Sequence, residues 1–260
     1  MSSYLSDIWR LRYFWLSLVR NDLRSRYRRS VIGIGWSLLH PIAMTAVLCT
    51  VFSQLFRADV YFYAPFLLAG LLAWNFITSA AVQGCQCFFL GETYIKQCPT
   101  PLAIYPLRTV LGAAVHFCLG LSVLLAMVWL FKGFSNLPAL PSLLLTLPLL
   151  FMFAWAVATC AGLVNVMFQD TQHLTEVGLQ ILFYLTPIIY PPEMLRMRRL
   201  AWLVDFNPVA AMLDLLRLPI CEARIAPLET FSFAAAATAL AVTCAAALLA
   251  RAQQRLIFYL

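Results

Sequence analysis

The chain has 260 residues, 63% of them hydrophobic and only 11% charged, with mean hydropathy +0.84 and a formal net charge of +7. Soluble domains are roughly half apolar and about a quarter charged, so a soluble fold of this length could not hide so much apolar surface, and a polytopic membrane protein is the reading that remains. In a soluble chain the positive balance would suggest nucleic acid. Here seven of the 18 Lys and Arg residues precede residue 30, a local bias that fits anionic lipid and membrane orientation and leaves no role for nucleic acid.

Residues 1–30 are expected to form an amphipathic helix in the plane of the membrane interface. On a helical projection Arg10, Ser17, Arg20, Asn21, Arg24 and Arg28 share one face, and Leu5, Ile8, Trp9, Trp15, Leu16, Val19, Leu23 and Tyr27 share another. Arg12 and Arg26 intrude on the apolar stripe, and the plainer reading is a basic flank that only sets orientation. No cleavable leader is expected, because charges fill the first 29 positions and the apolar run that follows is too long. A span needs roughly 20 apolar residues, and six are expected: 31–56, one within 62–90, then 109–131, 140–168, the short 177–190 and 231–250. The arginine-rich start places the N-terminus in the cytoplasm, with Lys96, Arg108, Arg251 and Arg255 inside and Arg57 and Lys132 outside. Six spans return the C-terminus to the cytoplasm.

Residues 91–106, GETYIKQCPTPLAIYP, are the main polar break on the cytoplasmic side. Glu92, Lys96, Pro99 and Pro101 make a short rigid elbow there, either a projecting helix suited to docking a soluble partner or a plain loop. Residues 191–230 carry five Arg balanced by five Asp and Glu, and are broken by Pro191, Pro192, Pro208, Pro219 and Pro227. Neither apolar piece is long enough to span, so two short helices dipping in from outside are expected, buried in protein. The expected architecture is therefore an all-α integral membrane domain: interfacial helix 1–30, spans one to five over 31–190, a re-entrant external segment over 191–230, a sixth span over 231–250 and a cytoplasmic tail over 251–260.

The only lysines, Lys96 and Lys132, lie in no GxxxxGK[ST] context, so the chain builds no P-loop and is not expected to be an enzyme by that route. GxSxG, HExxH and dinucleotide-binding turns are absent from the sequence, and the eight cysteines form no CxxC pair. His40 and His116 fall inside spans, where helix–helix hydrogen bonding is the expected role. Asp170, His173 and Glu176, at i, i+3 and i+6, could mimic a metal site, but a polar corner between two spans explains them more simply. Asn75 sits mid-span between Trp74 and Phe76, and is costly there unless it faces protein or water. Together with Trp36, Phe183, Tyr184 and Tyr190 these residues are candidates to line a channel, since flat apolar rings with polar edges suit sugar faces. Core packing is the alternative for each.

Four stretches resemble one family. DLRSRYRRSVIGIGWSLLHP (residues 22–41), LLAGLLAWNF (67–76), FYLTPIIYPPEML (183–195) and the pair Asn207–Pro208 occur in the order seen in bacterial polysaccharide ABC exporter permeases of the ABC-2 type, which serve O-antigen, capsule and teichoic acid. The family commonly carries Arg-Asp after the fourth span, where this chain has Gln169–Asp170. The resemblance implies a homodimer in the bacterial inner membrane, paired with two ATP-binding cassette subunits that carry ATP and Mg, with no cofactor in this chain. It implies that the elbow holds the coupling helix, with Glu92, Tyr94, Ile95, Lys96, Pro99 and Pro101 at the ATPase. It also implies a glycan on a polyprenyl diphosphate as cargo, with Arg20, Arg24, Arg26, Arg28 and Arg29 placed to meet the diphosphate, for which forked guanidinium donors are suited. The rival readings are an ABC-2 permease for a small drug or ion, a membrane-embedded lipid-linked sugar transferase, and a secondary transporter. The last would show inverted repeats and a mid-membrane ionisable residue, neither of which is clear in the sequence.

Overall fold

The structure is a computed structural model that describes residues 2–28, 30–97, 100–197, 200–253 and 256, and among these every regular element is helical. α1 (Ser2–Arg10) and α2 (Arg12–Arg26) form a pair with one break at Leu11. The pair carries two apolar stripes rather than the single one expected. Leu18 and Val19 are buried where α2 packs on the helix α6 (Ile104–Lys132), while Trp9, Tyr13 and Leu16 stay exposed on the other side at i, i+4 and i+7. The projection grouped Val19 with Trp9 and Leu16, but tertiary packing against the bundle separates them. Arg12 lies over the Trp9 and Tyr13 rings, 5.5 and 4.6 Å from their centroids.

Five apolar runs become helices long and apolar enough to cross a membrane: Gly33–Phe56, Val60–Cys85, Ile104–Lys132, Leu140–Met167 and Leu228–Ala252. Their α-helical portions are α3 (Trp36–Phe56), α4 (Val60–Cys85), α6 (Ile104–Lys132), α7 (Leu143–Met167) and α12 (Leu228–Ala252). α4 is the hub. Of its most apolar stretch 72% is buried, against 17% for the first span, because α3, α6, α7 and two shorter helices, α8 (Thr171–Leu185) and α11 (Pro208–Cys221), all pack on it. The α3–α4 turn is tight. Arg57 closes α3 in the left-handed region at φ 51°, and Asp59 caps α4 by accepting a 3.0 Å bond from the Tyr61 amide.

α4 and α7 meet through small residues. A Cβ on Gly84 would lie 2.6 Å from Ala158 Cα, and one on Gly162 would lie 2.6 Å from the Gly84 carbonyl oxygen, so only glycine permits this approach. Gly162→Val is therefore expected to cost about 1–3 kcal/mol, the usual penalty for overpacking, and to lower the melting temperature in detergent. Gly112→Val, at a site where a Cβ meets nothing within 4 Å, is the matched control and should change little.

The fifth apolar run becomes α8 (Thr171–Leu185), fifteen residues that start earlier than expected, among Gln172, His173 and Glu176. It ends at Thr186–Pro187. The segment after it forms three short helices where two were expected: α9 (Glu193–Met197), α10 (Ala201–Asp205) and α11 (Pro208–Cys221). Asn207 explains the start of α11. Its Oδ1 accepts from the Val209 and Ala210 amides at 2.9 and 3.4 Å, its Nδ2 donates to Thr186 Oγ1 at 2.9 Å, and Pro208 occupies the first helical position. α11 is buried against α4, α7 and α12. Its Arg217 is 2% exposed and stitches the bundle: Nη1 donates to Pro187 O at 2.6 Å, Nη2 to Ile188 O at 2.8 Å and Nε to Phe66 O at 3.2 Å. Tyr63 adds a 2.6 Å bond to Ile189 O.

Candidate functional site

α4 carries a polar column. Asn75, Ser79, Gln83 and Gln86, spaced by four, four and three residues, share one helical face. The column lines two adjoining clefts that share Arg26 and His116. The first, about 400 Å³, lies between the end of α2, the first turns of α3, α4 and α6, and includes Trp36, His40, Asn75 and Ser79. The second, about 370 Å³, continues toward the end of the bundle where the elbow lies, and includes Asp22, Gln83, Gln86, Arg108 and Gln172.

A compact network closes the first cleft. Arg26 Nη1 lies 3.3 Å from His116 Nε2, His116 Nδ1 lies 2.9 Å from Ser37 Oγ, and Ser37 Oγ lies 2.6 Å from the Tyr27 hydroxyl. The Tyr27 ring meets the imidazole edge-on. In the second cleft Arg108 donates through Nε and Nη2 to both carboxylate oxygens of Asp22, while its buried Nη1 has no partner. Gln86 donates to Gln172, which donates to Glu176 at 3.0 Å. Asn165 ties the corner, donating to Cys85 O at 2.8 Å and accepting from the Gln172 amide.

The elbow is helical. α5 (Glu92–Gln97) is braced by a Lys96–Glu92 ion pair at 2.6 Å, with Ile95 turned inward and Tyr94 exposed. Tyr105, fully buried beneath it, leaves no room for a side chain at Gly91, where a Cβ would lie 2.3 Å from the ring. Pro101 is buried, and Pro99 lies outside the described residues. The N-terminal pair touches this elbow twice. Phe14 packs edge-on against Tyr94 at 5.5 Å, and the Tyr4 hydroxyl accepts from the Ala103 amide at 3.2 Å. Burial pushes the Tyr4 hydroxyl above its usual range, so it stays neutral and serves as an acceptor.

Of the basic candidates, Arg26 faces the first cleft, Arg24 and Arg28 line a shallow basin at the end of α2 with Asn21, Ser25 and Tyr27, Arg20 is exposed, and Arg29 lies outside the described residues. Of the aromatic candidates, Trp36, Asn75 and Phe76 border the first cleft. Trp74 is buried against Phe183 at 5.6 Å, Tyr184 is 65% exposed, and Tyr190 donates to Tyr184 O at 2.7 Å. The structure thus gathers Trp36, Asn75 and Phe76 with Arg26, and places Phe183, Tyr184 and Tyr190 on and after α8. The reading of the sequence missed Ser79, Gln83 and Gln86, although their spacing from Asn75 inside an apolar helix was a visible signal. The Asp170–His173–Glu176 corner is open: the His173 side chain is 81% exposed and 4.0 Å from Glu176. Among the described residues no group of three His, Cys, Asp or Glu side chains could hold a metal ion.

Five membrane-length helices, three of which line a polar, arginine-bordered cleft together with the end of α2, make this a multi-pass membrane protein. Residues 13–220 match the family described as ABC-2 type transporter, and the chain belongs to that family, as a transport subunit. It is similar to the O-antigen export system permease protein RfbA of Klebsiella pneumoniae, 26% identical over 200 residues and 75% of each chain. It is also similar to the RfbA protein of Myxococcus xanthus, at 25% identity over 74% of this chain and 73% of that one. The polysialic acid transport protein KpsM of Escherichia coli is 23% identical over 77% of this chain and 78% of its own.

Proposed function

We propose that the chain is the membrane-spanning permease of an ATP-driven exporter that moves a polyprenyl-diphosphate-linked polysaccharide out of the cytoplasm across the bacterial inner membrane. The observation that carries this reading is the match, over three quarters of both chains, to permeases named for O-antigen export, joined to a polar column that runs along the most buried helix. A single domain spans the chain. α8 serves as a sixth, short crossing, α9 to α11 re-enter from outside, and both termini lie in the cytoplasm. α1 and α2 lie in the interface, where the exposed Trp9, Tyr13 and Leu16 meet headgroups. Two copies form the path, with Trp36, Trp74, Asn75, Phe76, Phe183, Tyr184 and Tyr190 along it or bracing it.

ATP and Mg belong to two separate ATP-binding subunits. α5 docks on them, Glu92, Tyr94 and Lys96 presenting outward from a base fixed by Ile95, Pro101 and Tyr105. Because the base is buried and the tip exposed, Glu92→Ala with Tyr94→Ala should leave the permease folded. The test is co-purification with the ATP-binding subunit together with complementation of a strain lacking this permease. The double variant should lose the ATPase or its coupling and leave lipid-linked glycan on the cytoplasmic face. Failure of the wild-type chain to bring down any P-loop ATPase under mild detergent would sink the reading.

A further inference from the structure

We propose that the cleft bounded by Arg26, Tyr27, Ser37, His40 and His116 is a binding site for the phosphoryl group of a lipid in the cytoplasmic leaflet. The placement in that leaflet rests on the exporter reading; the chemistry rests on the cleft itself. Its walls carry one guanidinium, two imidazoles, three hydroxyls and the Asn75 amide, and no carboxylate. The adjoining cleft differs, because there Asp22 already neutralises Arg108. Arg26 borders both clefts, and the first is the one whose wall sets no carboxylate beside it.

Counting protons shows what is left over. Arg26 Nη1 can only donate, so His116 Nε2 accepts, and the neutral ring must carry its proton on Nδ1. Nδ1 then donates to Ser37 Oγ, and one hydroxyl proton serves the 2.6 Å contact between Ser37 and Tyr27. The second hydroxyl proton has only the longer Tyr27 contact to His116 Nε2, at 3.4 Å, an acceptor that Arg26 already shares. Arg26 keeps four further N–H groups, and among the described residues it makes no ion pair and no other hydrogen bond. A forked cation with four spare N–H groups beside two hydroxyls is a donor set that an acceptor-only, anionic group completes, and a phosphoryl group matches the fork.

Depth and shape agree. His116 lies twelve residues into α6, about 18 Å along the helix at 1.5 Å per residue, and the exposed Arg26 side chain reaches it from the end of α2. The volume of about 400 Å³ takes a phosphoryl group with part of its ester substituents. Trp36 and Phe117 border the cleft with apolar surface suited to the first carbons of a chain. The phosphoryl group could belong to a bulk phospholipid or to the lipid that carries the glycan.

Lipid retention by the purified full chain, read by native mass spectrometry, separates these cases. The chain is reconstituted in phosphatidylcholine nanodiscs doped with phosphatidylglycerol or with a polyprenyl phosphate, and compared with Arg26→Ala, Arg26→Lys, His116→Gln and Arg10→Ala. Arg10 is exposed on the same N-terminal pair, outside this cleft. Arg26→Ala should weaken retention about tenfold, the loss of a charged hydrogen-bonded partner. Arg26→Lys should recover part of it, His116→Gln should weaken it less, and Arg10→Ala should retain wild-type binding. Polyprenyl phosphate displacing phosphatidylglycerol would assign the site to the carrier lipid; persistence of phosphatidylglycerol would assign it to the bilayer. Equal losses in Arg26→Ala and Arg10→Ala, or no retained anionic lipid in the wild type, would overturn the site. The assay needs neither ATPase nor transport, so its failure leaves the exporter reading standing, and loss of the ATPase partner leaves the cleft standing.

Discussion

Arg217→Met is expected to cost the folded bundle about 3 kcal/mol or more and to lower its melting temperature in detergent well beyond the effect of an ordinary core change. The carbonyls of Pro187 and Ile188 lie in the non-helical stretch after α8, and Arg217 is their donor, at 2.6 and 2.8 Å. The guanidinium also lies 3.7 Å over the Phe66 ring. Methionine fills the volume but strands both carbonyls in a place that water does not reach, at about 1–3 kcal/mol each. Arg217→Lys should fall between, since an ammonium is a point charge without the fork that spans two carbonyls and Phe66 O. An independent handle exists. A Cβ at Gly70 would sit 2.2 Å from Arg217 Nη2, so Gly70→Ala should expel the guanidinium and mimic its loss. In the Arg217→Met background Gly70→Ala should then add little, a non-additivity that a double-mutant cycle reads directly. A variant Arg217→Met that melts with the wild type would mean the carbonyls find other donors and the stitch carries no weight.

Arg217 also marks where sequence reading stops. In the chain it reads as one of five arginines offset by five acids in a broken, external segment. Its partners are 29, 30 and 151 residues away, and no local pattern carries that information. The long apolar runs were a different matter. Length alone located α3, α4, α6, α7 and α12, because each must satisfy its own backbone in lipid. Their ends were not legible from apolarity: α6 starts at Ile104, five positions before its apolar run was expected to begin, because Arg108 is neutralised by Asp22 and so tolerated inside the helix. α8 likewise begins among polar residues that Asn165 and Gln86 hold in place. The cleft was half legible. A mid-span Asn75 signalled a polar face, but joining it to Arg26 and His116 required knowing that α2 folds back against α6.

That folding back is the subject of the second large effect expected. Asp22→Ala should release α2 from α6 and destabilise the chain by about 1–3 kcal/mol, between the small worth of an exposed ion pair and the larger cost of orphaning a buried one. The two partners differ in exposure, 14% for the Arg108 side chain and 44% for Asp22. Removing Asp22 leaves a shielded cation whose Nη1 already lacks a partner, whereas removing Arg108 leaves a carboxylate that water can reach. Asp22→Ala should therefore cost more than Arg108→Met, and the exchanged pair Asp22→Arg with Arg108→Asp should recover part of the loss. Limited trypsin digestion reads the release directly, since Arg10, Arg12, Arg20 and Arg24 become cleavable when α1 and α2 lift off. The consequence for transport follows from what α2 connects. One end touches the elbow through Phe14 and Tyr94, and the other carries Arg26 into the cleft beside His116. Asp22→Ala should leave the ATP-binding subunit bound, because Glu92, Lys96 and Ile95 are untouched, yet separate hydrolysis from export. If hydrolysis and export fall together in proportion to the folded fraction, α2 is an anchor and nothing more. If hydrolysis persists while export fails, α2 is the element that carries motion from the elbow to the polar cleft.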